Sequence, residues 1–239
     1  MRYLVVITAL ALQAQSFEVA TVKVSPPLIG EKIFINLGRV TNGTLTFSNA
    51  SLSDCLRYAY DLTSDQQLVG PDWIKSKEFR YEIVAKAAPP LTREQASKML
   101  RPLLIERFKL ESHWNPREMT YYELSVGKNG SKLQPEKERA VTYPENGLMQ
   151  INQPHLSMLM LATLLSRFEL RVPVVDQTGI QGNHDVKLEW LPATARPDAP
   201  DGPSIFTAVK EQLGLQLAAK KGLVQVLVID HAEKTPIDN

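Results

Sequence analysis

Two stretches of this 239-residue chain match each other in the same order, at an offset of 104 to 106 residues, and this internal repeat limits the folds open to the chain. The first match pairs residues 43–53 with residues 147–157, where alternating apolar residues predict a strand that runs into a helix. The second match pairs residues 68–74 with residues 174–180, where a short apolar strand meets a tight turn.

A third match consists of a capped helix and the strands that follow it. Thr92 and Ser204 are the predicted N-caps of this helix in the two copies. The strands after it are predicted from short alternating runs separated by turns, at residues 110–114, 121–126, 215–217 and 224–229. Each copy therefore has the predicted order strand-helix-strand-strand-helix-strand-strand. This order predicts an α+β fold of two tandem copies with mixed or antiparallel sheets.

Composition between the matches sets the boundaries of the copies. Phe17–Lys23 alternates and predicts an extra strand, while the stretch between the copies is rich in Lys, Glu, Asn and Gly, as linkers are. We therefore expect a signal peptide at 1–14, an N-terminal strand and loop at 15–42, a first unit at 43–126, a linker at 127–146, a second unit at 147–234 and a C-terminal tail at 235–239.

The N-terminal residues are typical of a signal peptide. Arg2 gives a small positive region, Tyr3–Leu12 is an apolar run, and cleavage after Ala11 or Ala14 suits the small residues there. The run is too short to span a bilayer. A buried N-terminal strand is the alternative. We expect a protein that is exported to the periplasm or the medium and has no membrane span in its mature chain.

Charge and cysteine content exclude several classes of protein. The net charge is +1, without the basic stripe that holds a phosphate backbone, so we expect no nucleic-acid partner. Cys55 is the single cysteine, so no internal disulfide can form and stability must come from a packed core. Because Cys55 lies in a helical pattern of apolar residues, we expect a buried thiol rather than a nucleophile.

The most enzyme-like motif is the run Val174–Gly179, which places Asp176 at the end of an apolar strand ahead of Thr178. Aspartyl phosphorylation needs a second acidic motif for Mg²⁺, and an aspartic protease needs two facing carboxylates, so neither chemistry fits. We predict an Asx-type turn, with Asp176 bonding backbone N–H groups and Gly179 at positive φ. The matched turn in the first copy is Pro71-Asp72-Trp73.

Other motifs of catalysis or metal binding are absent from the sequence. The chain has no His-Glu-x-x-His, no nucleophile elbow and no Gly-rich phosphate loop, so we expect no cofactor and no metal site. Acidic pairs such as Glu118 and Glu123 fit either sugar hydrolysis or a solvated surface. The three tryptophans fit either core packing or contacts with a sugar or a protein partner; they are Trp73, Trp114 and Trp190.

Beyond the repeat, a set of short motifs runs nearly end to end along the chain: Phe17–Lys23, Pro71-Asp72-Trp73, Met99-Leu100, Arg107–Leu110, His113, Asp176-x-Thr178-Gly179-x-x-Gly182, Leu188-Glu189-Trp190, Gln212–Leu215, Asp230-His231, Pro236 and Asn239. On these residues, the chain resembles a soil-associated family of exported bacterial proteins of unknown function. The resemblance implies export but no known activity. The sequence departs from the family pattern at Asn115, where a Glu is usual, and at Asn183-His184, where an aromatic residue normally precedes Asp185.

Taken together, these features predict a non-catalytic extracytoplasmic module that binds another protein or a polymer. The candidate ligand-binding residues are those of the two matched turns, because a groove between the copies would be a natural site; they are Asp72, Trp73, Asp176 and Thr178. The alternative is an extracytoplasmic hydrolase of a polysaccharide or peptide whose acid and base are not identified.

Overall fold

The computed structural model describes residues 16–26, 35–76, 78–142, 147–196 and 199–237. The predicted signal peptide at residues 1–14 lies outside these ranges. Within them, the chain forms four α-helices and eleven strands arranged in three sheets. Parallel and antiparallel pairs both occur, which confirms an α+β fold with mixed and antiparallel sheets. No described helix has the length and apolar content needed to cross a membrane.

The first half is built on an antiparallel four-stranded sheet of order β1-β5-β3-β2. Its strands are β1 (Val19–Val24), β2 (Asn36–Thr41), β3 (Thr44–Ala50) and β5 (Tyr81–Lys86), and the intervening short strand β4 is Leu68–Val69. The helices are α1 (Leu52–Ala59) and α2 (Arg93–Phe108). Asn42 and Gly43 both have positive φ and form the β2–β3 turn, as an Asn-Gly hairpin requires.

Capping explains where the helices of the first half begin. The Ser51 side chain accepts the backbone N–H of Asp54, and the Asp54 carboxylate accepts the backbone N–H of Ser51. Thr92 and Gln95 make the same reciprocal pair at the start of α2, as the sequence predicts. The two helices contact each other and bury their apolar faces in the first core.

The second half has a three-stranded sheet of order β7-β10-β8. Its elements are β7 (Gln134–Pro135), β8 (Met149–Leu156), α3 (Met158–Leu165) with a π turn at Ser166–Leu170, β9 (Val174–Asp176), β10 (His184–Trp190) and α4 (Ile205–Leu213). Ser157 and Ser204 cap α3 and α4, and Gly214 ends α4 at positive φ. Trp190 is fully buried in the second core.

The strands that close each half differ from the sequence prediction. We predicted two strands and a turn in each copy, but the structure has one continuous strand in each, β6 (Glu111–Val126) and β11 (Leu215–His231). The prediction was wrong because the middle of each strand is buried on neither face, so it lacks the alternation that marks a half-buried strand. Antiparallel pairing of β6 with β11 carries both strands through these middle residues.

These two long strands interlock the halves of the chain. In the sheet of order β4-β11-β6-β9, the short strand of each half pairs in parallel with the long strand of the other half. Leu227 and Ile229 of the second half are buried in the first core, and Leu124 of the first half is buried in the second core. Neither half therefore contains all the residues of its own core.

Candidate functional site

The first predicted site turn follows β4 as a short 3₁₀ helix at Asp72–Lys75. Asp72 is exposed, whereas Trp73 is half-buried against the first core, with its ring edge-to-face to Phe79 at 5.8 Å. Just before the turn, a Cβ on Gly70 would lie 2.8 Å from the Cβ of Ile229, so only glycine fits this close approach to β11. The packing of Trp73 and Gly70 shows that this turn has a structural role.

The second predicted turn, after β9, has the Asx geometry that the sequence predicts. The Asp176 carboxylate accepts the backbone N–H of Thr178 at 2.9 Å and the Thr178 hydroxyl at 2.8 Å. The Thr178 hydroxyl in turn accepts the backbone N–H of Ile180 at 3.1 Å, and Gly179 has a φ of 68°. One oxygen of Asp176 is thus used in holding the turn.

The structure does not bring the two turns together. β4 and β9 are the outer strands on opposite edges of one sheet. They also run in opposite directions, since each is parallel to one of two antiparallel strands. Among the described residues, no hydrogen bond, ion pair or ring contact joins Asp72 or Trp73 to Asp176 or Thr178. A single groove lined by all four residues is therefore not formed.

A different surface lies between the two cores, on the β6–β11 strand pair. Side chains alternate along a strand, so Leu215 and Leu217 of the second core lie on the same face as Leu227 and Ile229 of the first core. The residues between them on this face are not covered by either core. We call this strip the inter-core surface; it comprises Trp114, Pro116, Glu118, Thr120, Ala219, Lys221, Leu223 and Gln225.

Two large apolar side chains dominate the inter-core surface. Leu223 is 75% exposed and Trp114 is 47% exposed. Pro116 lies between them, diagonal to Leu223 across the strand pair, at the spacing where side chains on one face still touch. The only charges of the strip are Glu118 and Lys221, whose side chains approach to 3.5 Å and cancel each other. The strip is therefore electrically neutral, and its apolar part, Trp114, Pro116 and Leu223, lies beside the polar side chains of Thr120 and Gln225.

Aromatic rings flank the inter-core surface at both ends. Trp114 meets Tyr60 edge-to-face at 5.9 Å, and the Arg101 guanidinium lies 5.2 Å from the centre of the Tyr60 ring. At the other end, Tyr122 contacts Phe206 at 5.5 Å, and Phe206 is 42% exposed. Within the described residues, the indole N–H of Trp114 has no hydrogen-bond partner, so it is available to a ligand.

The opposite face of the strand pair carries a His–Asp pair. His113 Nδ1 and Asp230 Oδ2 lie 2.8 Å apart, with both side chains about half exposed. A bulge between Ile229 and His231 shifts the strand register at Asp230, and bulges re-aim side chains in this way. Because the carboxylate accepts the Nδ1 proton, the Nε2 lone pair is left to act as a base.

Sequence analysis did not predict this pair, although both residues belong to the pattern that carries the family resemblance. His113 and Asp230 are separated by 117 positions. Only the pairing of β6 with β11 identifies His113 as the partner of Asp230.

A charged cluster holds the predicted linker against the second sheet. His155 Nδ1 lies 3.0 Å from Glu136, and its Nε2 lies 3.3 Å from Glu138. The hydrogen bond that His155 donates to the Glu136 carboxylate raises the pKa of His155, and the same bond lowers the pKa of Glu136. The nearly buried Asp185 carboxylate accepts a hydrogen bond from Arg139 Nε at 2.7 Å, which lowers the pKa of its carboxyl.

Where the chain is described, no three His, Cys, Asp or Glu side chains are placed to share a metal ion.

The residues of another quoted motif, Arg107–Leu110, fasten the C-terminal tail to the first half. The Phe108 carbonyl accepts the backbone N–H of Glu233, and Lys109 Nζ lies 2.9 Å from the Glu233 carboxylate. The Arg107 carbonyl accepts the backbone N–H of Ile237 at 2.8 Å. This motif therefore has a structural role in closing the end of the chain against α2.

Comparison with known proteins places the chain in a family without giving it an activity. No curated protein matches it significantly. No solved structure matches it significantly either. Residues 53–232 match the family described as "Protein of unknown function (DUF3738)", and the chain belongs to that family.

Proposed function

We propose that this protein is an exported, non-catalytic interaction module that binds another extracytoplasmic protein through the inter-core surface. The observation that carries the proposal is the exposure of Leu223 and Trp114 on the same strand face as both cores. Single exposed apolar residues are common, but a contiguous apolar strip marks an interaction site. Leu223, Pro116 and Trp114 form an exposed apolar patch of this kind within the inter-core surface.

The composition around the strip favours a protein partner over a polymer. Residues that dominate binding at protein interfaces are enriched in Trp, Tyr and Arg. Trp114, Tyr60 and Arg101 supply these three types in mutual contact. Because the Glu118–Lys221 pair neutralises the strip, we expect apolar contact rather than charge attraction to supply most of the affinity.

We also propose that the two halves arose as tandem copies, with units at residues 43–126 and 147–234. The order strand, helix, short strand, strand, helix, long strand occurs in both halves and supports this origin. The exchanged strand pairing adds support. Leu68 of the first half pairs with Leu227 of β11, and Val174, its counterpart in the second half, pairs in the same parallel way with Tyr122 of β6. Export is proposed from the N-terminal sequence, with cleavage that leaves Leu12 or Gln15 as the first residue.

The test is a pull-down from periplasm and medium with the tagged chain, followed by N-terminal sequencing of the recovered bait. We expect a partner that is retained by the wild type and lost by the Trp114→Ala/Leu223→Ser double variant. Phe168→Ala is the matched control, because Phe168 is 43% exposed but lies outside the strip. Partner recovery that is unchanged in the double variant would overturn the assignment of the surface.

A second candidate function is hydrolysis of an extracellular polymer, and the His113–Asp230 pair is the observation that favours it. A carboxylate that orients a histidine is the base of many hydrolases. Here His113 would activate a water molecule, because no Ser, Thr or Cys hydroxyl or thiol contacts its ring among the described residues. Turnover of a polysaccharide or peptide panel by the wild type, abolished in His113→Gln and strongly reduced in Asp230→Asn, would favour the hydrolase over the interaction module.

A further inference from the structure

A cavity of about 340 Å³ lies between the start of β1 and the outer side of α2. Its walls are part apolar and part polar. The apolar part includes Phe17, Val19, Met99, Pro102 and Leu103, and the charged part is Glu18, Glu106 and Arg107. The volume is within the range of small-molecule sites. At about 30 Å³ for each water-sized group, it holds a compound of roughly ten non-hydrogen atoms.

Arg107 is a nearly buried cation with no carboxylate of the described residues closer than 3.7 Å. Its side chain is 12% exposed, and the ion pair that the described residues give it, with the exposed Glu106, is 3.7 Å long. Nη1 donates to the Ile237 carbonyl at 3.4 Å, and the buried Nε has no hydrogen-bond partner in the described part of the chain. Burying a charge without a close partner is costly, so this guanidinium is suited to an anion beyond those that the described residues supply.

Two other arginines also have an unpartnered Nε, but unlike Arg107 they have a close carboxylate. Arg57 lies 3.1 Å from the Asp65 carboxylate, and Arg93 lies 2.6 Å from the Asp61 carboxylate. Their charges are therefore balanced by close carboxylates. Of the three arginines, Arg107 alone has no carboxylate within 3.5 Å and also lines a cavity.

We propose that this cavity binds a small monocarboxylate with an apolar body. Its carboxylate would take the fork of donors on Arg107, which matches carboxylate geometry, and its body would lie against Met99 and Leu103. Glu18 and Glu106 also line the cavity and would repel a second negative charge. The site therefore selects one carboxylate over two, and an acid over a neutral alcohol of the same length.

The experiment measures binding to the full chain by isothermal titration calorimetry. Octanoate is the probe, 1-octanol lacks the charge and suberate adds a second carboxylate. We expect octanoate to bind at least tenfold more tightly than either, because the charge-assisted pair with Arg107 and the repulsion by Glu18 and Glu106 both discriminate. Equal binding of octanoate and 1-octanol, or no binding of octanoate, would overturn the proposal.

Two variants separate recognition from folding, each checked by circular dichroism. Arg107→Met removes the guanidinium, and Leu103→Phe fills the cavity while leaving Arg107 and its contact with the tail in place. Both should weaken octanoate binding at least tenfold, whereas Lys98→Met, which removes an exposed charge of the same helix outside the cavity, should leave it unchanged. Undiminished binding in Arg107→Met or in Leu103→Phe would also overturn the proposal.

A free fatty acid and the C-terminal residue of a peptide both combine one carboxylate with an apolar body. N-acetyl-leucine is therefore titrated beside octanoate, and the tighter of the two identifies the source. Weaker binding of both compounds than of 1-octanol would contradict the assignment of Arg107 as the anchor.

Discussion

Leu124 pairs with Leu217 across the two long strands, and both side chains are buried in the second core although Leu124 belongs to the first half. Leu227 makes the reciprocal contribution to the first core. The two halves are thus joined by exchange of core residues as well as by the chain itself. Stability of either half depends on the other, because each core loses buried apolar area when the partner strand is removed.

Because the two halves exchange core residues, we expect one buried leucine on β6 to contribute to the free energy of unfolding of the whole chain. Leu124→Ala should lower the free energy of unfolding by about 2 to 5 kcal/mol, since it leaves a cavity in the second core. Leu223→Ala, an exposed leucine on the paired strand, should change it by less than about 0.5 kcal/mol. Urea unfolding followed by circular dichroism measures both, and equal effects of the two substitutions would show that Leu124 is not buried as described.

The ends of the long strands were predictable from the sequence, but their middles and their pairing were not. Alternation marks Leu215–Leu217 because one face is buried there, and Val224–Ile229 is a nearly continuous apolar run because Val226 and Leu227 are buried on opposite faces. The exposed residues between them carry no such signal, so a turn was predicted there. Nothing in a single sequence says that Leu227 enters the core of the other half, since pairing between distant strands depends on the assembled fold.

The candidate site was predictable only in part for the same reason. The Asx turn at Asp176 is local, and its hydrogen bonds to Thr178 follow from residues two positions apart. The His113–Asp230 pair and the inter-core surface both depend on the β6–β11 register. Trp114 could be named from the sequence as a core or binding residue, and its exposure shows that the core does not enclose it.

The Asx turn gives a second test of stability. Asp176→Ala removes the acceptor of two hydrogen bonds and should lower the free energy of unfolding by about 1 to 3 kcal/mol. Asp176→Asn keeps an acceptor oxygen and should retain most of that stability. Equal stability of Asp176→Ala and the wild type in urea unfolding would mean that the turn does not need this side chain.

His155 provides a prediction about pH. Its pKa is raised in the folded protein above the ordinary value of 6.5. The largest cause is the hydrogen bond that the ring donates to the Glu136 carboxylate. A group of this kind stabilises the fold below its unfolded pKa, and the contribution is lost as pH rises through the folded pKa. We therefore expect an NMR titration of His155 with a pKa above 6.5 that falls in Glu136→Gln. A pKa at or below 6.5 in the wild type would show that Glu136 does not stabilise the protonated imidazole of His155.

Cys55 should be inert in the native protein. Its side chain is fully buried, and burial raises the pKa of its thiol well above the usual value of 9.0, so the reactive thiolate is scarce. A thiol reagent such as Ellman's reagent should label the native chain slowly and the urea-unfolded chain stoichiometrically at once. Complete labelling of the native chain within minutes would mean that α1 does not enclose the thiol.

The central claim, that the inter-core surface binds a protein partner, is tested most directly by site-specific photo-crosslinking in cells. A photoreactive phenylalanine analogue replaces Leu223 in one variant and Gln216, which is exposed on the opposite face of the same strand, in the other. The account predicts a discrete adduct to another protein from position 223 and none from position 216. An adduct from position 216 alone, equal adducts from both positions, or none from either would contradict it.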